Sequence, residues 1–235
     1  VKLYRQGLKN SAKIIFQNKD DRSLFFKLKI IRQKNFSHII NGSGVDLNLY
    51  PLSSLPSEPV FLMISRLLID KGVREYVKAA KIVRSHFPNV KFQLAGYIDK
   101  NPAGISANEL KSWIDDDNIQ YLGEIKSVQS ILKSCRYYVL PSYREGTPRS
   151  TLEALSTGRP VITSDVPGCR ETVIHEKNGL LVPAKDSVAL ANAMIRLLKE
   201  PDEKIERMAK ESFLIAKNKY EINKVNQSII EIMNL

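Results

Sequence analysis

Glu145 and Glu153 stand eight residues apart in the stretch Pro141-Ser142-Tyr143-Arg144-Glu145-Gly146-Thr147-Pro148-Arg149-Ser150-Thr151-Leu152-Glu153. Thr147 is suited to cap a helix and Pro148 to occupy its first position, so a helix is expected to open here with free backbone N–H groups. Gly146 lets a ligand approach the backbone closely. A helix start of this kind attracts an anion through its N–H donors and its dipole. One carboxylate can then face a ligand near its phosphate end while the other, two turns on, reaches a different part of it. A second set lies upstream in Ser65-Arg66-Leu67-Leu68-Ile69-Asp70-Lys71-Gly72, where Arg66 offers a planar fork and Lys71 a mobile point charge. Five residues apart in one turn, they form a cationic clamp suited to a diphosphate. Each set alone has an ordinary explanation, as capping and solvated helix acids or as basic loop residues. Both together, in this order, point to a phosphorylated ligand.

Those residues need elements to hold them. From Val60 the chain alternates short apolar runs with amphipathic stretches. Strands are expected at 60–64, 90–95, 119–122, 137–140, 160–163 and 179–182, and helices at 73–85, 108–115, 128–134, 148–156 and 170–175. Asp186 reads as the N-cap of a further helix whose buried side carries Val188, Leu190, Ala191, Met194, Leu197 and Leu198. Strands alternating with helices imply βαβ units with right-handed crossovers. The expected fold class is therefore α/β, a Rossmann-like doubly wound parallel sheet with helices on both faces. Arg66, Lys71, Glu145 and Glu153 then follow carboxyl ends of strands, where such sheets bind ligands.

The first 50 residues read as a strand at 12–16, a basic amphipathic helix at 20–32 and a strand at 37–40, a fragment of a second α/β domain too small for its own core. Pro51, Pro56 and Pro59 mark a linker. The expected organisation is 1–50 as the remnant of a neighbouring domain, 51–59 as linker, 60–219 as the ligand-binding domain, and 220–235 as a helix returning toward the neighbour. The start lacks both an initiator Met and a signal-peptide pattern, and a fragment of a cytoplasmic protein is expected.

With 43% hydrophobic and 26% charged residues among 235, the chain is composed like a globular domain, and no apolar run is long enough to span a membrane. Cys135 and Cys169 form no metal-spaced set with His38, His86 or His175, and no metal site or hydrolytic triad is expected. Asp115-Asp116-Asp117 reads as an exposed helix end. Asn41-Gly42-Ser43-Gly44 lacks dinucleotide-binding spacing. The net charge of +11 suits phosphorylated substrates or an anionic membrane surface. Its spread through helices, without an aromatic–basic strand motif, argues against nucleic acid.

The pair Glu145 and Glu153, in Glu-Gly-Thr-Pro-x4-Glu, resembles the E-x7-E motif of retaining glycosyltransferases of the GT-B fold. The opening Ser65-Arg66-Leu67-x-x-x-Lys71-Gly72 is similar to the start of the donor domain in the group 1 family (family 4). So are Leu94-Ala95-Gly96, Tyr121-Leu122-Gly123, Gly158-Arg159-Pro160-Val161-Ile162, Gly168-Cys169-Arg170-Glu171 and Asn178-Gly179-Leu180-Leu181-Val182. The resemblance implies that Arg66 and Lys71 bind the donor diphosphate, that Glu153 holds the ribose, and that Glu145 contacts the transferred sugar as the catalytic residue. It implies further donor contacts at Gly96, Gly146, Thr147, Pro148, Arg149 and Ser150, with no metal and no cofactor besides the nucleotide-sugar donor.

The subtype resembles bacterial enzymes of polysaccharide and cell-envelope assembly, which implies a UDP-sugar carrying Gal or an N-acetylhexosamine and a glycan or lipid-linked acceptor. The expected place is the cytoplasm, with peripheral contact at the membrane's cytoplasmic face. Most of the acceptor domain is missing from this chain, so the chain alone is expected to bind nucleotide without transferring sugar. The alternatives are a non-catalytic or truncated nucleotide-sugar-binding protein of the same fold, or a GT-B-like epimerase.

Overall fold

A computed structural model describes residues 1–32 and 36–234. Residues 33–35, inside the expected 1–50 remnant, and Leu235, the end of the expected returning helix, lie outside the described residues. The N-terminal piece runs α1 (Lys2–Gly7), β1 (Ile14–Phe16), α2 (Lys19–Lys27) and β2 (Ser37–Ile39). β1 and β2 pair in parallel, Ile14 opposite Ser37. α2 stops five residues short of the expected Arg32 because Leu28 caps it and Lys29 turns left-handed at φ 52°.

The main domain contains β3 (Val60–Ile64), α3 (Val73–Arg84), β4 (Lys91–Ala95), α4 (Ala107–Asp115), β5 (Gln120–Gly123), α5 (Val128–Ser134), β6 (Tyr137–Leu140), α6 (Arg149–Ser156), β7 (Val161–Ser164), β8 (Gly179–Val182) and α7 (Ser187–Lys199). It closes with α8 (Asp202–Ile215), a π turn at Ala216–Tyr220, and α9 (Ile222–Met233). The six-stranded sheet has the order β5-β4-β3-β6-β7-β8, every neighbouring pair parallel. Its order reverses between β3 and β6, the topological switch of a doubly wound sheet. Helices cover both faces, with α3 packed on α7 and α6 on α8.

The central strands are continuously apolar because both faces are covered: Phe61, Leu62, Met63, Tyr138, Val139, Val161 and Ile162 are fully buried. Asp186 caps α7 by accepting from Val188 and Ala189 N–H. Val188 itself corrects the expectation, since in the first turn of α7 it points to solvent while Leu190, Ala191, Met194 and Leu197 are buried. The expected helix at 170–175 shrinks to a single 3-10 turn, Arg170–Thr172.

The proline-rich segment 51–59 lies against the main domain. The fully buried Arg159 donates from Nη1 to Cys135 O at 3.0 Å and from Nη2 to Ser53 O at 2.9 Å and Ser54 O at 3.0 Å. Arg136 Nη1 donates to Pro56 O at 2.6 Å. At the far end, Val45 N–H donates to Tyr220 O at 2.7 Å and Ile222 N–H to Val45 O at 3.0 Å, so the start of α9 is bonded to the strand-like segment just after β2.

Candidate functional site

The loops that leave β3 and β6 are stitched together at the switch point. Tyr143 N–H donates to Asp70 O at 2.8 Å. Gly72, at φ 74°, packs so tightly that an added Cβ would stand 2.2 Å from Pro141 O. A third loop, following β7, joins them. Glu145 N–H donates to Pro167 O at 3.0 Å, and Gly168, at φ 84°, leaves only 2.1 Å between a would-be Cβ and Glu145 O. No residue but glycine satisfies both that contact and that backbone angle.

The stitching brings Lys71 to Glu145. Nζ meets Oε1 at 2.6 Å, with the two side chains 17% and 13% exposed. Ser142 Oγ donates to the same oxygen at 2.8 Å. The neighbouring Cys169 thiol is pushed up to about 12 by burial and stays protonated, so it offers no thiolate to the site.

Pro148 is the N-cap of α6, extended at φ −71° and ψ 116°, so the helix opens one residue later than expected. Thr147 is not the cap: its hydroxyl donates instead to Gln17 O at 3.3 Å, because the N-terminal segment passes directly beside it. Among the described residues, none accepts from the N–H groups of Gly146, Thr147, Arg149 or Ser150. These are the orphan donors of a helix start. The Ser150 hydroxyl is taken by Tyr138, whose OH donates to it at 2.7 Å.

Glu153 is separate from Glu145. It is buried and bonded by Arg149 Nε at 3.1 Å, one turn earlier on the same helix. The Tyr50 hydroxyl lies beside it, and both border a cavity of about 140 Å³ that also touches Asp46 and Ile222. Burial raises the Glu153 pKa above its ordinary 4.5, although Tyr50 and Arg149 pull the other way. Arg66 is a third group. It is 52% exposed and paired with Asp99 at 3.2 Å. Gly96 directly follows β4, its carbonyl accepting from Tyr121 OH at 2.7 Å. The expected residues thus fall into a Lys71–Glu145 pair, an Arg149–Glu153 pair and an Arg66–Asp99 pair, the first two beside the free N–H groups at the start of α6.

The raised carboxyl of Glu153 has a testable sign. The folded chain holds this proton more tightly than the unfolded one, so the stability it contributes is complete below the ordinary pKa and is lost as pH rises through the folded pKa. Glu153→Gln never ionises. It is expected to raise Tm by on the order of 2 °C at about pH 8, with the gain fading toward about pH 5. A pH-independent difference in thermal unfolding would refute that assignment.

Sequence reasoning assigned no role to Ser142, Tyr50 or Asn18. Ser142 carries a weak signal, a hydroxyl three residues before Glu145. Asn18 signals only a helix start. Nothing local in the sequence connects Tyr50 with Glu153.

The family model for glycosyl transferases group 1 matches residues 58–200. The chain belongs to that family. Among curated proteins it is similar to the N,N'-diacetylbacillosaminyl-diphospho-undecaprenol alpha-1,3-N-acetylgalactosaminyltransferase of Campylobacter jejuni, 30% identical over 217 residues, covering 86% of this chain and 55% of that protein. A UDP-Gal:alpha-D-GlcNAc-diphosphoundecaprenol alpha-1,3-galactosyltransferase of Escherichia coli is 29% identical over 206 residues, 80% of this chain and 52% of that one. The chain spans about half the length of these curated relatives. Among solved structures, a sucrose-phosphate synthase from Thermosynechococcus elongatus superposes with a TM-score of 0.84 at 22% identity, over 99% of this chain and 60% of that one. HepE of Anabaena, solved with UDP and glucose, gives 0.81 at 22% identity over 95% and 63%. These likenesses carry the fold alone, the six-stranded parallel α/β sheet of GT-B proteins.

Proposed function

We propose that this group 1 chain is the donor-binding part of a retaining glycosyltransferase that moves a sugar from a UDP-sugar to a lipid-linked or glycan acceptor. The observation that carries this reading is the Lys71–Glu145 pair beside the unpartnered N–H groups of Gly146, Thr147, Arg149 and Ser150, at the switch point of the sheet. Lys71, with Arg66 at the rim, neutralises the diphosphate as the glycosidic bond breaks and charge grows on the leaving group. The N–H groups hold phosphate and sugar oxygens. Lys71 and Ser142 both bond Oε1 of Glu145, which leaves Oε2 to accept from a hydroxyl of the transferred sugar. Glu153 accepts from the ribose. No metal enters this scheme.

The transferred sugar is Gal or an N-acetylhexosamine, as in the names of the two relatives above. Peripheral membrane contact suits a lipid-linked acceptor, and the charge distribution supports it: residues 1–36 hold ten Lys and Arg against two Asp. Among the described residues no helix is long and apolar enough to cross a membrane.

Calorimetric titration with UDP, GDP and ADP tests the reading. UDP is expected to bind saturably, and Glu153→Ala to weaken it about 30-fold, the loss of a charge-assisted hydrogen bond. Absence of binding by all three nucleotides contradicts the proposal, and preference for GDP or ADP removes its uridine part.

A further inference from the structure

The turn that presents the free N–H groups is held from outside the main domain. Asn18 lies at the N-terminus of α2, more than 120 residues upstream, yet it is only 1% exposed. Its Oδ1 accepts from Asp21 N–H at 2.7 Å and so caps α2. Its Nδ2 donates to Asp21 Oδ2 at 2.9 Å and to Gly146 O at 2.9 Å, with Glu145 O at 3.5 Å. The same helix end makes further contacts with the loops of the site. Asp21 pairs with Arg144, Asp20 with Arg170 at 3.5 Å, and Gln17 O accepts from Thr147. The Gln17 side chain also fills the space beside Gly146, where an added Cβ would meet its Oε1 at 2.5 Å.

A peptide unit is planar and trans, so its C=O and the following N–H point in opposite directions. Fixing Gly146 O on Asn18 therefore aims Thr147 N–H away from Asn18. Contact with Glu145 O does the same for Gly146 N–H. Gly168 closes the remaining space at those two carbonyls, 2.1 Å and 2.6 Å from its would-be Cβ. The turn binds an anion best while both N–H groups keep one direction, because donors that must reorient on binding lose part of their stabilising effect.

We propose that Asn18 is a positioning residue for donor binding, its side-chain amide orienting the Gly146 and Thr147 N–H groups toward the terminal phosphate and the sugar attached to it. This rests on the functional reading above, and deepens it by giving the N-terminal segment a part in donor recognition.

The test is Asn18→Ser in the whole chain. Serine keeps the capping acceptor, being about as good an N-cap as asparagine, but its hydroxyl is too short to reach Gly146 O. Thermal unfolding shows whether α2 and the fold survive. Calorimetry then compares UDP with UMP, which lacks the terminal phosphate. The expected result is a Tm close to that of the unsubstituted chain, UMP affinity kept within about two-fold, and UDP affinity lowered about ten-fold. Equal losses for both nucleotides, or none for either, would overturn the positioning role while leaving the nucleotide site standing. Failure of the unsubstituted chain to bind either nucleotide overturns the functional reading, and this inference with it. If Asn18→Ser unfolds, Asn18→Asp, which also keeps the cap but cannot donate, is read by the same UDP-to-UMP ratio.

Discussion

Lys71→Ala is expected to lower the affinity of the chain for UDP about 100-fold, on the order of 2.7 kcal/mol, and to do so by two routes. The first is direct: an ammonium with three donors spends one on Glu145 Oε1, and a diphosphate takes the others. The second is the carboxylate left behind. Without Lys71, Glu145 keeps only the Ser142 hydroxyl on Oε1 and stands largely buried beside the phosphates as an uncompensated negative charge. A second substitution separates the two. Glu145→Gln on top of Lys71→Ala removes the repulsion and should recover about ten-fold in UDP affinity. Glu145→Gln alone should leave UDP affinity within about three-fold while weakening the sugar nucleotide more. Calorimetry on the four chains closes the cycle. A loss below about three-fold in Lys71→Ala, or additive effects in the double variant, would show that this lysine is not the phosphate's cation.

Arg159→Met should cost about 3 kcal/mol of folding stability with little direct effect on the ligand site. Arg159 is a buried cation whose partners are carbonyl oxygens of Cys135, Ser53 and Ser54 and the Ser53 hydroxyl. Burial pushes its pKa down from the usual arginine value. Removing the guanidinium orphans carbonyls at about 1 to 3 kcal/mol each where they stay buried, and frees the segment 51–59 from the sheet where they do not. Equilibrium unfolding in urea measures the loss. A drop below about 1 kcal/mol would mean that the proline-rich segment is held by its apolar contacts alone. Tyr50 belongs to the chain just before that segment, and its carbonyl is fixed by the Ser156 hydroxyl. Loosening 51–59 is therefore expected to reach Glu153 as a secondary loss of UDP affinity of about three-fold.

The secondary structure of the main domain is legible because local physics decides it. Val60–Ile64 and Tyr137–Leu140 are continuous apolar runs between turns, and α5 and β8 begin and end where the periodicity places them. Departures arise where a local preference meets a tertiary one. Val188 has the right type for the buried side of α7 but sits in a turn that nothing covers. Thr147 has a capping side chain, and the N-terminal segment takes its hydroxyl. α2 ends early because Lys29 leaves the helical region, a change no residue type in 20–32 announces.

The sequence by itself determined the alternation of strands and helices, the α/β class, the two loops that carry Arg66, Lys71 and Glu145, and the helix that carries Glu153, since side-chain pattern and residue type are local properties. Tertiary structure alone decided which of them meet. Strand order placed β3 beside β6, and with it Lys71 on Glu145, while Arg66 went to Asp99 and Glu153 to Arg149. It also brought Asn18 under Gly146, across a sequence separation of 128. No periodicity encodes such a pairing, because it is fixed by how whole elements pack and by the few ångströms that glycines such as Gly72 and Gly168 leave open.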